Sequence, residues 1–446
     1  MKRHVLCGLA GALALAGCAH YAAAPPRPEA FQPAFEARRL DKPPGTAWTS
    51  AELLTIALAQ NPQVVEARAT YAAAVRTARA SKVGQPLTLT LAAEYANSAP
   101  RWGYSAAADV PLDYGVRRQA RMTMGDLQAM QAWYDYAEVV WTVRAALAKA
   151  CVDLRAADVE VTIAERAAEL RLQRLQRLQQ RVAAGEDDRT IALTAQSELA
   201  VVERRVADAK GRKAQAMTAL AKALGVSTAA VQNTTLPRHA ALPSMDGIAE
   251  WRRDAALMRT DVLRALVDYD LAEAALRLEI AKQYPEVRLG PGYTYDHGVT
   301  KLPLSVSLVL PPADLNRHAI DQAEAARAAA GRSIEAVQAN MLAGVDAALA
   351  AVAAAQRAAD TAFGHELPTA RRVVVDTSRA LQAGAADRTE DLGARAAELD
   401  AELSVLDTER ATQGAVVDLE DSLRRLFDPA EAAVMSAAFA KAGDPS

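Results

Sequence analysis

Two periodicities take turns along this chain. Leu87, Leu89, Leu91, Ala93 and Tyr95 alternate with Thr88, Thr90, Ala92 and Glu94. After a turn at Asn97 to Gly103, Tyr104, Ala106, Ala108, Val110 and Leu112 alternate with Ser105, Ala107, Asp109 and Pro111. Period-2 patterning with one apolar face predicts a strand pair. Later, Val287, Leu289, Pro291, Tyr293 and Tyr295 alternate with Arg288, Gly290, Gly292, Thr294 and Asp296, and Leu302 to Leu310 follows the same rule. The predicted strands are therefore about 87–95, 104–112, 287–296 and 302–310. Each is close to the length a tilted strand needs to cross hydrocarbon, and Trp102, Tyr104, Tyr293 and Tyr295 near the turns suit an aromatic girdle. Pro291 and Pro303 predict bulges or weak pairing within their strands.

The other periodicity is helical. Ser50 to Gln60 reads as a short helix closed by Asn61-Pro62, and a second runs to Gly84. From Val116 to Ala184 no Pro interrupts a run of Ala, Leu, Arg, Gln, Glu and Val, which at 1.5 Å per residue is roughly 100 Å of helix. Ala184-Gly185 supplies a stop and Asp187-Asp188 a start for a helix returning to Leu224.

The arrangement occurs twice. Pro86 and Pro285, Arg118 and Arg317, and Gly185 and Gly384 are each 199 positions apart, and Ala184-Gly185 with Asp188-Arg189-Thr190 reappears as Ala383-Gly384 with Asp387-Arg388-Thr389. The chain reads as a tandem duplication, with a first repeat at 48–243 (tip 184–188) and a second at 244–446 (tip 383–387).

The N-terminus adds a location. Lys2-Arg3, an apolar stretch from Val5 to Ala16, and Leu15-Ala16-Gly17-Cys18 read as a signal peptide, 1–17, cleaved before a Cys18 that carries the lipid anchor. Ala19 after the Cys resembles the pattern of lipoproteins sorted to the outer membrane. Residues 18–47, rich in Pro and Ala, read as an extended tether. Cys7 leaves with the signal peptide, so Cys151 is the single remaining thiol and reads as a packed residue. Ala347 to Ala355 is too short for a spanning helix, which leaves strands to cross any membrane.

Composition removes other classes. Lys and Arg (51) and Asp and Glu (54) are interleaved, with a net charge of −3, which gives no nucleic-acid footprint. The six His are scattered singly and no CxxC occurs, so no metal site, cofactor site or catalytic constellation is expected.

Four strands form an open sheet with two unpaired edges, which hydrocarbon does not tolerate. If these strands enter a membrane, several copies pool them. The alternative is two surface hairpins on a helical protein. The chain resembles the TolC family of outer-membrane efflux channels from Trp48 to Phe427. The resemblance rests on Asn61-Pro62, on Gln85-Pro86 and Tyr284-Pro285 before the odd strands, and on Pro111 to Arg118 at the first strand-to-helix elbow. It rests also on Glu366-Leu367-Pro368-Thr369-Ala370 in the second long helix and on the two Ala-Gly tips. Leu276 to Lys282 and Leu289 to Tyr293 look most like the heavy-metal efflux branch.

The resemblance implies a mainly α protein with a small β part. Long antiparallel coiled-coil helical hairpins carry four transmembrane strands per chain, pooled in a homotrimer into a twelve-strand β-barrel and an α-helical tunnel. It implies a passive exit duct in the outer membrane that extends into the periplasm. Its partners are a periplasmic adaptor protein and an inner-membrane pump, of the RND type, with heavy-metal cations as candidate cargo. Gly185, Asp188, Gly384 and Asp387 are the expected tip and adaptor contacts. Glu390 either lines the gate or completes a capping box with Asp387. The competing functional reading is a lipid-anchored periplasmic scaffold or adaptor without a pore.

Overall fold

The computed structural model describes residues 22–40, 42, 46–84, 86–97, 99–112, 115–232, 234–236 and 245–443. The expected signal peptide and Cys18 lie outside them. The chain falls into two units, 1–41 and 42–446. In the first, residues 28–36 correct the expectation of an extended tether by forming a helix, α1 (Pro28–Glu36). Pro28 occupies the first turn, where its missing N–H costs nothing, and Phe31 and Phe35, one turn apart, stack with ring centroids 5.8 Å apart.

The second unit opens with α2 (Ser50–Gln60), set by a Thr49/Glu52 capping box, and α3 (Pro62–Ser81), capped by the Asn61 side chain. The first hairpin, β1 (Thr88–Tyr95) and β2 (Trp102–Pro111), leads into α4 (Val116–Ala183), which turns back as α5 (Arg189–Leu224). After the short α6 (Thr228–Val231) the plan repeats. It runs through α7 (Ile248–Met258), α8 (Thr260–Ala281), β3 (Glu286–Asp296), β4 (Val299–Lys301) and β5 (Leu304–Val309). The second hairpin of helices is α9 (Arg317–Thr361) with α10 (Leu367–Gln382), returning as α11 (Arg388–Leu423), and α12 (Pro429–Gly443) follows. A five-residue π turn, Ala362–Glu366, joins α9 to α10. Pro368 cannot donate to the helical ladder, and the wider turn just before it absorbs the lost bond.

α4 is the spine, packed along α5, α11, α8 and α3, while α9 lies on α8 and α11. Its buried positions include Val140, Val143, Leu147, Cys151, Leu154, Ile163, Ala164 and Ala167, the spacing of a continuous apolar stripe. Burial pushes the Cys151 thiol up to about 12, with the Glu431 carboxylate adding to the effect. One expectation is corrected. The continuous helix Arg317–Gln382 contains a window of mean hydropathy 1.4, long and apolar enough by composition to cross a membrane. Its apolarity comes from runs of Ala such as Ala353-Ala354-Ala355.

The two repeats close their return helices alike. Asn61 Nδ2 donates to the Lys222 and Ala223 carbonyls at 3.3 and 2.9 Å. At the matching place, Arg259 Nη1 donates to the Asp421 and Ser422 carbonyls. Gly225 and Arg424 occupy the left-handed C-caps that follow. A Cβ on Gly225 would lie 2.5 Å from the Gln60 carbonyl oxygen, whereas Arg424 uses its side chain to pair with Glu138 and Asp421 and to cover the Trp141 ring. Near this end a buried triad forms: Arg144 on α4 meets Glu420 of α11 at 2.6 Å and Glu431 of α12 at 2.8 Å.

The sheet is antiparallel throughout, ordered β1, β2, β3, then β4 and β5 end to end along β3. β4 and β5 hold the same register against β3, so they are one strand divided at Leu302-Pro303. The predicted strand 302–310 is thus corrected to a broken arm spanning 299–309. The break falls where Pro303 lacks an N–H, although its carbonyl still accepts from Gly292 N at 2.8 Å. β1 and β5 are the open edges of this sheet.

Candidate functional site

Residues directly opposite one another in a sheet share a face, so the pairing assigns each side chain. Leu91 opposes Ala106, which opposes Tyr293; Leu89 opposes Ala108; Val110 opposes Leu289, which opposes Val306; Val287 opposes Leu308. One face is therefore apolar from edge to edge, and it is exposed: Leu91 at 70%, Leu304 at 72%, Val306 at 61%. Trp102 stands between Tyr95 and Tyr104 toward the turn end of this face, with centroids 5.2 and 6.4 Å away. The opposite face carries Thr88, Thr90, Glu94, Ser105, Asp109, Glu286, Arg288, Thr294, Ser305 and Ser307. There Arg288 donates to Asp109 at 2.9 Å and to Glu286 at 3.0 Å, and Lys301 reaches Asp296 at 2.6 Å near the turn. A sheet that is apolar on one exposed side and polar on the other separates hydrocarbon from water.

The long helices carry the second part of the site away from the sheet. Gly185 and Gly384 take positive φ, +79° and +72°, which lets each chain turn without the Cβ strain of a left-handed residue. Asp188 N-caps α5 by accepting from Thr190 N at 2.7 Å. Asp387 N-caps α11, accepting from Thr389 N at 2.7 Å and Glu390 N at 2.9 Å, while Glu390 accepts from Asp387 N at 3.2 Å. The capping box, one of the two roles open to Glu390, is formed here. Gly185, Asp188, Gly384 and Glu390 are exposed.

What brings the two tips together is a residue that the sequence did not single out. Arg181, in the last turn of α4, donates to Asp187 at 2.9 Å and also to Asp387 across the two hairpins. Partial burial works against ionisation of Asp387, but hydrogen bonds from Thr389 and Glu390 and the Arg181 charge outweigh it and hold the carboxyl below its ordinary value. The Thr190 hydroxyl and amide do the same for Asp188. The Arg181 guanidinium loses hydration there, and the Asp187 and Asp387 charges more than restore its hold on the proton. The signal for Arg181 in the sequence is only a basic residue at a helix C-terminus, a common feature; its second partner is 206 positions away. Among the described residues no group of three or more His, Cys, Asp or Glu is placed to hold a metal ion.

The sequence profile of the outer membrane efflux proteins matches this chain twice, over residues 53–226 and 251–423. The chain belongs to the outer membrane efflux protein family. Solved structures agree on the fold of this efflux protein. It superposes on the VceC outer membrane protein of Vibrio cholerae with a TM-score of 0.69 at 16% identity, over 85% of this chain and 97% of that one. The open-state MtrE outer membrane channel of Neisseria gonorrhoeae gives 0.67 at 17%, over 84% and 89%. CusC, described for its folding and transmembrane channel formation, gives 0.68 at 16%, over 87% and 98%. No curated protein matches the chain. The family match makes this an outer membrane efflux protein, and the superpositions show that it shares the fold of those solved structures.

Proposed function

We propose that this chain is the lipid-anchored, homotrimeric exit duct of a tripartite efflux system. The observation that carries the reading is the open four-stranded sheet with an exposed apolar face. A lone subunit leaves β1 and β5 unpaired in hydrocarbon, whereas β1 of one copy paired to β5 of the next closes a barrel. Three copies supply twelve strands, and their helical hairpins continue the bore as a tunnel. The Ala-rich surface of α9 suits close contact between neighbouring copies.

The anchor in this reading is Cys18, acylated after removal of 1–17, with 18–47 as its tether and 48–243 and 244–446 as the two repeats. Gly185, Asp188, Gly384 and Asp387 meet the periplasmic adaptor, which couples the duct to an inner-membrane pump of the RND type. Passage is passive, and the resting tunnel is closed at the tips, where Arg181 ties Asp387 and Glu390 presents a carboxylate. Heavy-metal cations are the cargo that the local sequence at 276–285 and 289–293 favours, and the surplus of carboxylates on the polar sheet face is compatible with cations.

Fractionation and conductance test the duct. The full-length protein is expected in the sarkosyl-resistant outer-membrane fraction, as SDS-sensitive trimers, with single-channel conductance in planar bilayers. A scaffold without a pore would instead be soluble and elongated after Cys18→Ser and would conduct nothing. Cargo is read separately, from metal susceptibility of cells lacking this chain and from the pump genes encoded beside it.

A further inference from the structure

Beneath the sheet, a groove of ≈ 460 Å³ opens between the first strand-to-helix elbow and the junction of α8 with β3, lined by Leu112, Val116, Ile280, Ala281, Tyr284 and Val287 among others. That volume is in the range of small-molecule sites. Leu112 and Val287 are bonded to each other, Leu112 N to Val287 O at 3.0 Å, and they continue the apolar face of the sheet into the groove. Val116 and Tyr284 are exposed at 59% and 70%, and Arg277, with its side chain 66% exposed, also lines the groove. An apolar slot ending in Tyr and Arg, one helical turn past the membrane strands, has the composition of a headgroup boundary.

We infer that this groove holds an acyl chain of an anionic phospholipid from the periplasmic leaflet, with its headgroup phosphate on Arg277. The inference rests on the outer-membrane duct reading above. Two observations select lipid over a second copy of the chain. The groove lies under β2 and β3, the central strands, whereas the duct reading joins copies at the open β1 and β5 edges. Its roof is also continuous with the lipid-facing side chains. The charge lining the groove is free to exchange: Arg277 touches Glu273 at 3.2 Å, and Glu273 keeps Arg327 at 3.1 Å when Arg277 turns away. Arg117 cannot serve the same purpose, because its guanidinium is spent on the Ala281 and Tyr284 carbonyls and on Glu286.

The test is native mass spectrometry of the full-length protein in non-ionic detergent with dioleoylphosphatidylglycerol or dioleoylphosphatidylethanolamine. One basic residue near anionic lipid is worth about 1 kcal/mol, so the wild type should retain the anionic lipid about fivefold better. Arg277→Gln should bring the two lipids to parity. Ile280→Trp and Val116→Trp, two independent ways to fill the slot, should lower retention of both. Equal retention by the wild type, an anionic preference that survives Arg277→Gln, or lipid unaffected by both Trp variants would each overturn the inference. Conductance of the same preparations keeps the two readings apart: a silent wild type sinks the duct, while a conducting protein without lipid preference sinks only the groove.

Discussion

Arg181 Nη1 donates to Asp387 Oδ2, which joins the last turn of the first outgoing helix to the first turn of the second return helix. This contact spans two hairpins that the chain connects only through the sheet end of the molecule, so it bears directly on whether the tips stay together. Arg181→Ala should raise resting conductance in planar bilayers, with Arg181→Lys intermediate because a single ammonium cannot hold Asp187 and Asp387 in the same fork. The tie also sets a pH window. Asp387 has its carboxyl pKa held below the ordinary 3.8, so its contribution is complete above that value and is lost as pH falls through the lowered one. Resting conductance should stay flat from neutral pH to about 4 and rise only below it. Asp387→Asn should abolish that acid step.

Glu390 can be asked about its charge without disturbing its cap. Gln also serves at the third position of a capping box, so Glu390→Gln should leave thermal unfolding unchanged and raise resting conductance if the carboxylate lines the gate. Glu390→Ala loses the cap as well, at about 0.5–2 kcal/mol if it behaves as other cap losses do. Unchanged conductance in both variants, with stability lost only in the Ala variant, would leave the cap as its whole role.

Adjacent strand residues should respond in opposite ways. Leu91 points to the apolar face and Thr90 to the polar one. Arg on the lipid face of a barrel costs roughly 2–4 kcal/mol at the bilayer midplane, so Leu91→Arg should deplete the protein from outer-membrane fractions. Thr90→Arg should leave assembly intact and shift ion selectivity toward anions. Equal tolerance of the two would contradict the face assignment.

The buried triad should give stability an unusual pH slope. Burial pushes the Glu420 carboxyl above its ordinary 4.5, and Arg144 and the Phe427 amide only partly oppose it. A carboxyl raised in the folded state favours folding when protonated, and that contribution is lost as pH rises through the raised value. The Glu420 contribution to resistance against denaturant should therefore decline above pH 4.5, and Glu420→Gln should flatten it. Arg144→Met leaves two buried carboxylates without their cation and should cost about 3–5 kcal/mol.

Most of this architecture could be read from local pattern, because its elements are long and regular. The helix foreseen from Val116 to Ala184 ends at Ala183, and the strand foreseen at 287–296 begins one residue earlier. What escaped reading was non-local or depended on competition within a short stretch. Pro303 weakens its strand by lacking an N–H, but whether the strand bulges or divides there depends on the pairing with β3 across the hairpin. The Pro and Ala content of residues 18–47 favours an extended chain, while the Phe31 and Phe35 spacing that favours a helix is a single weak pair. Arg181 carried no motif at all, and its role appears only when a residue 206 positions away comes beside it.

The unpaired margins of the sheet have a genetic consequence. In the proposed duct each subunit is finished only by its neighbours, so a variant that folds but carries a damaged margin would not be silent beside the normal allele. It would enter mixed assemblies and spoil the seams on either side of it, so that a minority of defective subunits could disable most ducts. Export should then fail dominantly for lesions in β1 or β5, and recessively for lesions that prevent the subunit from folding at all.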